Sequence, residues 1–226
     1  MRKLAVLFLG VFFTAFVHAG DVATFMDLGF SADGKTYTFG QYGITDTRFQ
    51  AYADIFCVDV STNKFIPGGT FSTNPDSKTS GQEGRIVFAS LQKNTADFMK
   101  KLVVDGSNAG RPLYVETEES MNLKEISFRD FETGNVYKIT MNVLTSGRGA
   151  SVQSSFYLSV QITDSSGKVT TRTVGLPGYK RPGVSNYGIR RIVTDNTGKS
   201  VVFIIEKEMY EEKGSSIRYM VETFRF

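Results

Sequence analysis

The chain has 226 residues, with 26 Lys and Arg against 23 Asp and Glu, 41% hydrophobic residues, one Cys and one His. So even a charge balance gives no basic footprint for nucleic acid and no polybasic anchor for an acidic membrane surface. A single Cys forbids an intrachain disulfide, and a single His leaves no His-built zinc site and, if removed with a leader, no Ser-His-Asp or Cys-His arrangement.

The first segment, 1–19, places Arg2 and Lys3 before an uncharged apolar run from Leu4 to Val17, and closes on Val17-His18-Ala19. That order is the pattern of a secretory signal peptide with cleavage before Gly20 or Asp21. The run of 14 residues is short for a membrane span, which needs about 20. The expected location is periplasmic or secreted, with no transmembrane segment after cleavage. Cleavage also removes His18, and without Arg2 and Lys3 the balance becomes 24 to 23.

Hairpin grammar then dominates 20–226, which reads as one β-rich domain. "GFSADGKTYTFGQYG" (29–43) runs strand, Asp33-Gly34-Lys35 turn, strand. Gly34 is expected at positive φ, as tight hairpins require. The turn lacks the longer glycine pattern and the following helix of a phosphate loop. "ADIFCVDVSTNKFIPGG" (53–69) turns at Ser61 to Lys64, and Cys57, flanked by Ile55, Phe56 and Val58, is expected to be buried and inert. Residues 67–84 read as a flexible loop. From 82 to 104 the spacing becomes helical, with Ile86, Leu91, Phe98 and Leu102 able to share a face. Asn94 or Thr95 could cap a second helix, so this segment is one interrupted helix or two short ones.

"KEISFRDFETGNVYKITMNV" (124–143) is a further hairpin, turning at Glu132 to Asn135. Val152, Ser154, Phe156, Leu158, Val160 and Ile162 alternate with mostly polar neighbours, the period of a half-buried strand. "DSSGK" then turns the chain into "VTTRTV". In "GIRRIVTDNTGKSVVFIIE" (188–206) the second strand is continuously apolar, as expected for burial on both faces. The fold class is therefore mainly β: antiparallel hairpins forming a sandwich or partial propeller-like sheet assembly, with a helical insertion around 82–104.

"GFSADGKTYTF" resembles the repeat of TolB-type β-propellers, and the likeness extends over 29–66, with a weaker echo in "VTDNTGKSVVFIIE". A propeller repeats every 40–45 residues or so, whereas the turn glycines Gly34, Gly134, Gly167 and Gly198 are spaced by 100, 33 and 31. Across the whole chain, "LGFSADGKTYTFGQYG", "YADIFCVDVSTNKF", "YKRPGVSNYGI" and "SIRYMVETF" resemble, in order, a bacterial family of predicted secreted proteins, domain of unknown function family 2259. The resemblance implies an exported single domain and carries no activity.

Three constellations are candidate sites. Tyr179, Lys180, Arg181, Arg190 and Arg191 surround a Gly/Pro-rich loop, and Arg and Tyr are the types that anchor ligands and carboxylate or phosphate groups. Glu116, Glu118 and Glu119, and Glu206, Glu208, Glu211 and Glu212, could supply paired acids for a hydrolase or a cation site, although neither run has EF-hand spacing. The closing "RYMVETFRF" would suit the last strand of a small outer-membrane β-barrel, except that Glu222 interrupts the face of Met220, Phe224 and Phe226. The expected function is a non-catalytic binding or scaffolding module of the cell envelope, for an envelope protein or glycan. No catalytic residue, metal or cofactor is assigned. The alternatives are a carboxylate-based hydrolase acting on envelope glycans and the barrel.

Overall fold

The computed structural model describes residues 20–226 except Asp105, Met121, Asn122 and Lys213. The expected signal peptide, 1–19, lies outside the described residues.

Three antiparallel sheets carry the fold. The first is a meander of β1 (Thr24–Phe30), β2 (Thr36–Ile44), β3 (Ala51–Asp59) and β4 (Lys64–Thr73). A helix, α1 (Gly84–Lys101), and β5 (Arg111–Val115) follow. The second sheet contains β6 (Glu125–Arg129), β7 (Val136–Ser146) and β8 (Gln153–Thr163). The outer edge of β8 is shared by β9 (Val169–Gly175) and the two-residue β10 (Arg181–Pro182). The third sheet joins β5 to β11 (Val184–Thr194), β12 (Ser200–Glu211) and β13 (Gly214–Arg225).

The third sheet lies between the other two. On β12, Val201, Phe203 and Ile205 pack with Phe156, Leu158 and Val160 of the second sheet. The alternate residues Val202 and Ile204 pack with Tyr37, Phe39 and Val58 of the first. Successive side chains of a strand point to opposite faces, so a strand buried on both must be apolar throughout. Each such side chain removed from water contributes about 2 kcal/mol. On its other face the first sheet receives α1, with Val87, Phe88 and Leu91 against Ala51, Ala53 and Ile55.

The turns explain the recurring Gly. Asp130, Asp164 and Asp195 each open a hairpin turn, and each backbone carbonyl accepts from the N–H of Gly134, Gly167 and Gly198 respectively. Those glycines sit at φ 76°, 85° and 69°. The Asp carboxylates also accept from turn N–H groups, such as Ser166 and Lys199, which is how Asp stabilises a local turn. Gly34 has φ 67°, and a Cβ there would meet Asp195 Oδ2 at 2.2 Å. The two Gly-Lys turns therefore dock on each other, and Ser200 Oγ donates to the Gly34 carbonyl at 2.6 Å. Cys57 is fully buried, burial pushes its thiol pKa up, and its Sγ lies 3.8 Å from Met99 Sδ.

Four expectations need correction. The helix is continuous: Thr95 is not a cap but donates its hydroxyl to the Leu91 carbonyl at 3.0 Å. Its buried face runs through Gly84, Val87, Phe88, Leu91 and Thr95, while Ile86 is exposed. Residues 67–73 of the expected loop are the second half of β4, which pairs with β3 through Thr73. The propeller likeness ends at local turn chemistry, because the sheets stack in layers instead of closing a ring, and they close no barrel. Among the described residues no helix is long and apolar enough to cross a membrane.

Candidate functional site

The loop between β9 and β10, the β3–β4 turn and the third sheet enclose a cleft of 570 Å³. All three sheets contribute to its lining. Val58, Asn63 and Phe65 come from the first, Leu176, Tyr179 and Arg181 from the β8-edge segment, and Lys207, Met209, Met220 and Glu222 from β12 and β13. A cavity of this size, apolar with a few converging polar groups, is the usual form of a small-ligand site.

Arg181 is placed by backbone pairing of β10 with Ser154 and Gln153 at the start of β8. Its guanidinium stacks over three rings, with the carbon 5.0 Å from the Tyr179 centroid, 5.3 Å from Phe156 and 5.9 Å from Tyr187. Such contacts favour a cation without neutralising it. The nearest acid is Glu222, with Arg181 Nη2 3.5 Å from its Oε1, and Arg181 Nη1 is buried without a hydrogen-bond partner. Five donors thus share one long ion-pair contact.

Glu222 is held from the other side. Asn63, in the left-handed region at φ 54°, donates its Nδ2 to Glu222 Oε2. The Asn63 Oδ1 accepts from the Thr223 N–H at 2.9 Å and from the Thr223 hydroxyl at 3.2 Å. Burial pushes the Glu222 carboxyl pKa up, while Asn63 and Arg181 pull it down less strongly. The Glu that interrupts an apolar strand in the sequence is therefore a wall of the cleft.

Lys207 is the second cation. No carboxylate among the described residues lies within ion-pair distance of it. Burial, then the charges of Arg181 and Arg218, push its pKa down to about 8 against a weaker upward pull from Asp54. Desolvation and like charge both disfavour an ammonium.

The loop residues singled out in the sequence separate in space. Tyr179 and Arg181 line the cleft, and Lys180 is exposed beside it. Arg190 faces another cavity, of 240 Å³, where its Nη1 pairs with Glu116 and its Nε lies 2.5 Å from Glu206 Oε2. Burial alone would lower the Arg190 pKa, but Glu116 and Glu206 raise it above the ordinary value. Arg191 pairs with Asp27 of β1, whose carboxylate also accepts from the Tyr37 hydroxyl at 3.0 Å. Arg190 and Arg191 thus fasten strands together. The acidic runs do meet, at Glu116, Glu206 and Glu208, and the single Arg190 guanidinium bridges the first two.

A family model of predicted secreted proteins, DUF2259, matches residues 38–225. The chain belongs to this family. The match covers every strand of the cleft, and its description agrees with the exported location expected from the N-terminal segment. No curated protein and no solved structure matches the chain.

Proposed function

We propose that this DUF2259 protein is a non-catalytic binding module of the cell envelope and that its ligand occupies the cleft between the β3–β4 turn and the β9–β10 loop. One observation carries the reading. Three sheets converge on a cleft in which Arg181 meets one buried acid, Glu222, and Lys207 meets none of the described carboxylates within ion-pair distance. Arg190, by contrast, meets two carboxylates, Glu116 and Glu206. Exposed apolar side chains at the mouth, Phe65, Leu176 and Tyr179, add a rim that a ligand body would cover.

The neutral fluorophore N-phenylnaphthylamine tests the site itself, since it brightens on entering an apolar pocket. The expected result is saturable binding by the protein, weakened about tenfold, roughly 1.4 kcal/mol, in the double variant Phe65→Ser, Leu176→Ser. Both positions are exposed, so the fold should survive. Absence of saturable fluorescence, or equal affinity in the double variant, would remove the cleft as the ligand site.

A further inference from the structure

The chemistry of the cleft narrows its ligand, and the narrowing rests on the binding reading above. Count the fixed charges first. Arg181 and Lys207 are positive, Glu222 is negative, and Lys64, also positive, stands exposed at the start of β4. The other charges that act on Lys207 lie outside the cleft lining, and Asp54 keeps its negative charge while pulling more weakly than Arg181 and Arg218 push. Arg218 pairs with Asp21 at 2.6 Å, and Asp54 accepts from Gln41 at 3.0 Å and from Ser72 at 2.7 Å. Behind the exposed Lys64, the charge of Lys207 therefore has no counter-charge among the described lining residues even after Glu222 is assigned wholly to Arg181.

The apolar part of the lining points the same way. Met209 and Met220 lie beside Lys207 and Glu222 on the third sheet. Met is the side chain that best adapts to an irregular apolar body. Depth follows burial: Arg181 and Glu222 expose 16% and 5% of their side chains, whereas Phe65 and Leu176 at the mouth are exposed by more than half. A cationic interior under an apolar rim suits a molecule with one charged end and a hydrocarbon body. A free inorganic anion would leave the rim uncovered, and a neutral lipid would cover the part-buried Lys207 ammonium without giving it a counter-charge, which is costly once the site is desolvated.

We infer that the cleft takes an amphipathic organic monoanion, with a carboxylate or singly charged phosphate head between Lys207 and Arg181 and its hydrocarbon body along Met209, Met220 and the Phe65–Leu176 rim. Lys207 supplies the charge recognition and Arg181, pinned between three rings, the fixed donor edge. The low pKa of Lys207 makes this recognition sensitive to alkali: the ammonium is lost as pH rises through about 8.

Displacement of N-phenylnaphthylamine by four twelve-carbon compounds tests the head group: dodecanoate, monomethyl dodecyl phosphate, dodecanol and dodecyltrimethylammonium. At pH 7 the two anions should displace the fluorophore at concentrations at least tenfold lower than dodecanol, and the cation should be the weakest. The advantage of the anions should shrink severalfold at pH 9. Lys207→Met should erase most of it while still binding the fluorophore. Equal displacement by dodecanoate and dodecanol, or an undiminished preference in Lys207→Met, would overturn the assignment while leaving the cleft a binding site. A chain that never takes up the fluorophore fails at the earlier reading instead. Phosphatidylglycerol vesicles present the same head charge on a surface. Co-sedimentation with them, without displacement by free dodecanoate, would overturn the free amphiphile as occupant.

Discussion

Arg190 and Arg181 are nine positions apart in one basic stretch and do opposite things. Arg190 meets two carboxylates, Glu116 just after β5 and Glu206 on β12, so its charge is consumed in holding the third sheet together. Arg181 meets one, Glu222, at 3.5 Å, and Lys207 in the same cleft has no acid within ion-pair distance among the described residues. Composition cannot separate these roles, because the residue type is the same. The number and distance of acidic partners separate them, and those partners come from distant parts of the chain.

The largest expected effect breaks the paired side. Arg190→Met removes the cation shared by Glu116, whose side chain is only 8% exposed, and Glu206, and leaves the two acids to repel each other. Stability should fall by about 2–3 kcal/mol, less than the full cost of breaking a buried pair because Arg190 is itself 41% exposed. Urea melts check it, and ligand binding by the surviving folded fraction should be unchanged.

Lys207→Met should go the other way and stabilise the protein at pH 7 by about 1–2 kcal/mol. Lys207 loses its proton at about 8 in the folded chain but only near 10.5 when unfolded. Between those values the unfolded chain binds the extra proton, so the parent gains stability as pH rises through that window. Its penalty is complete below about 8. The advantage of the variant should therefore be full at pH 7, shrink above 8 and be nearly gone by 10.5, as urea melts across that range will show.

Glu222→Gln sharpens the contrast by emptying the cleft of its acid. Asn63 can still donate to the new amide oxygen, so stability should move by less than about 1 kcal/mol. Affinity for dodecanoate at pH 7 should rise severalfold, measured by fluorophore displacement; unchanged affinity would count against electrostatic recognition. The smallest effect belongs to an exposed pair. Lys35→Ala breaks a 3.5 Å contact with Asp33 in which both side chains are more than half exposed. A change of no more than about 0.5 kcal/mol is expected, read as a nearly unmoved melting temperature.

The candidate site was legible only in pieces. Tyr179 and Arg181 stood out because Arg and aromatic residues cluster in a Gly/Pro-rich loop, and Glu222 because it interrupts an apolar strand. Lys207 gave one weak signal, the second of two charges that follow the buried run of β12. Asn63 looked like an ordinary turn residue, and nothing local announces that its amide reaches β13, 159 residues away. Ile86 misled because hydrophobicity does not say which side of a helix is covered; the choice was made by Ala51, Ala53 and Ile55 on the sheet beneath.

What the sequence determined by itself is what depends on neighbours along the chain. Period-two alternation and the Asp-to-Gly turns specified the hairpins, because strand geometry and left-handed turn backbone are local requirements. The apolar run of β12 likewise announced burial on both faces. Only the tertiary structure decided which sheets supply those two faces, that the two Gly-Lys turns touch, and which arginines find acids. Those outcomes depend on charges and side chains brought together across as many as 197 residues, as in Arg218 and Asp21. Coulomb and packing energies follow distance in space, and a linear sequence does not carry that distance.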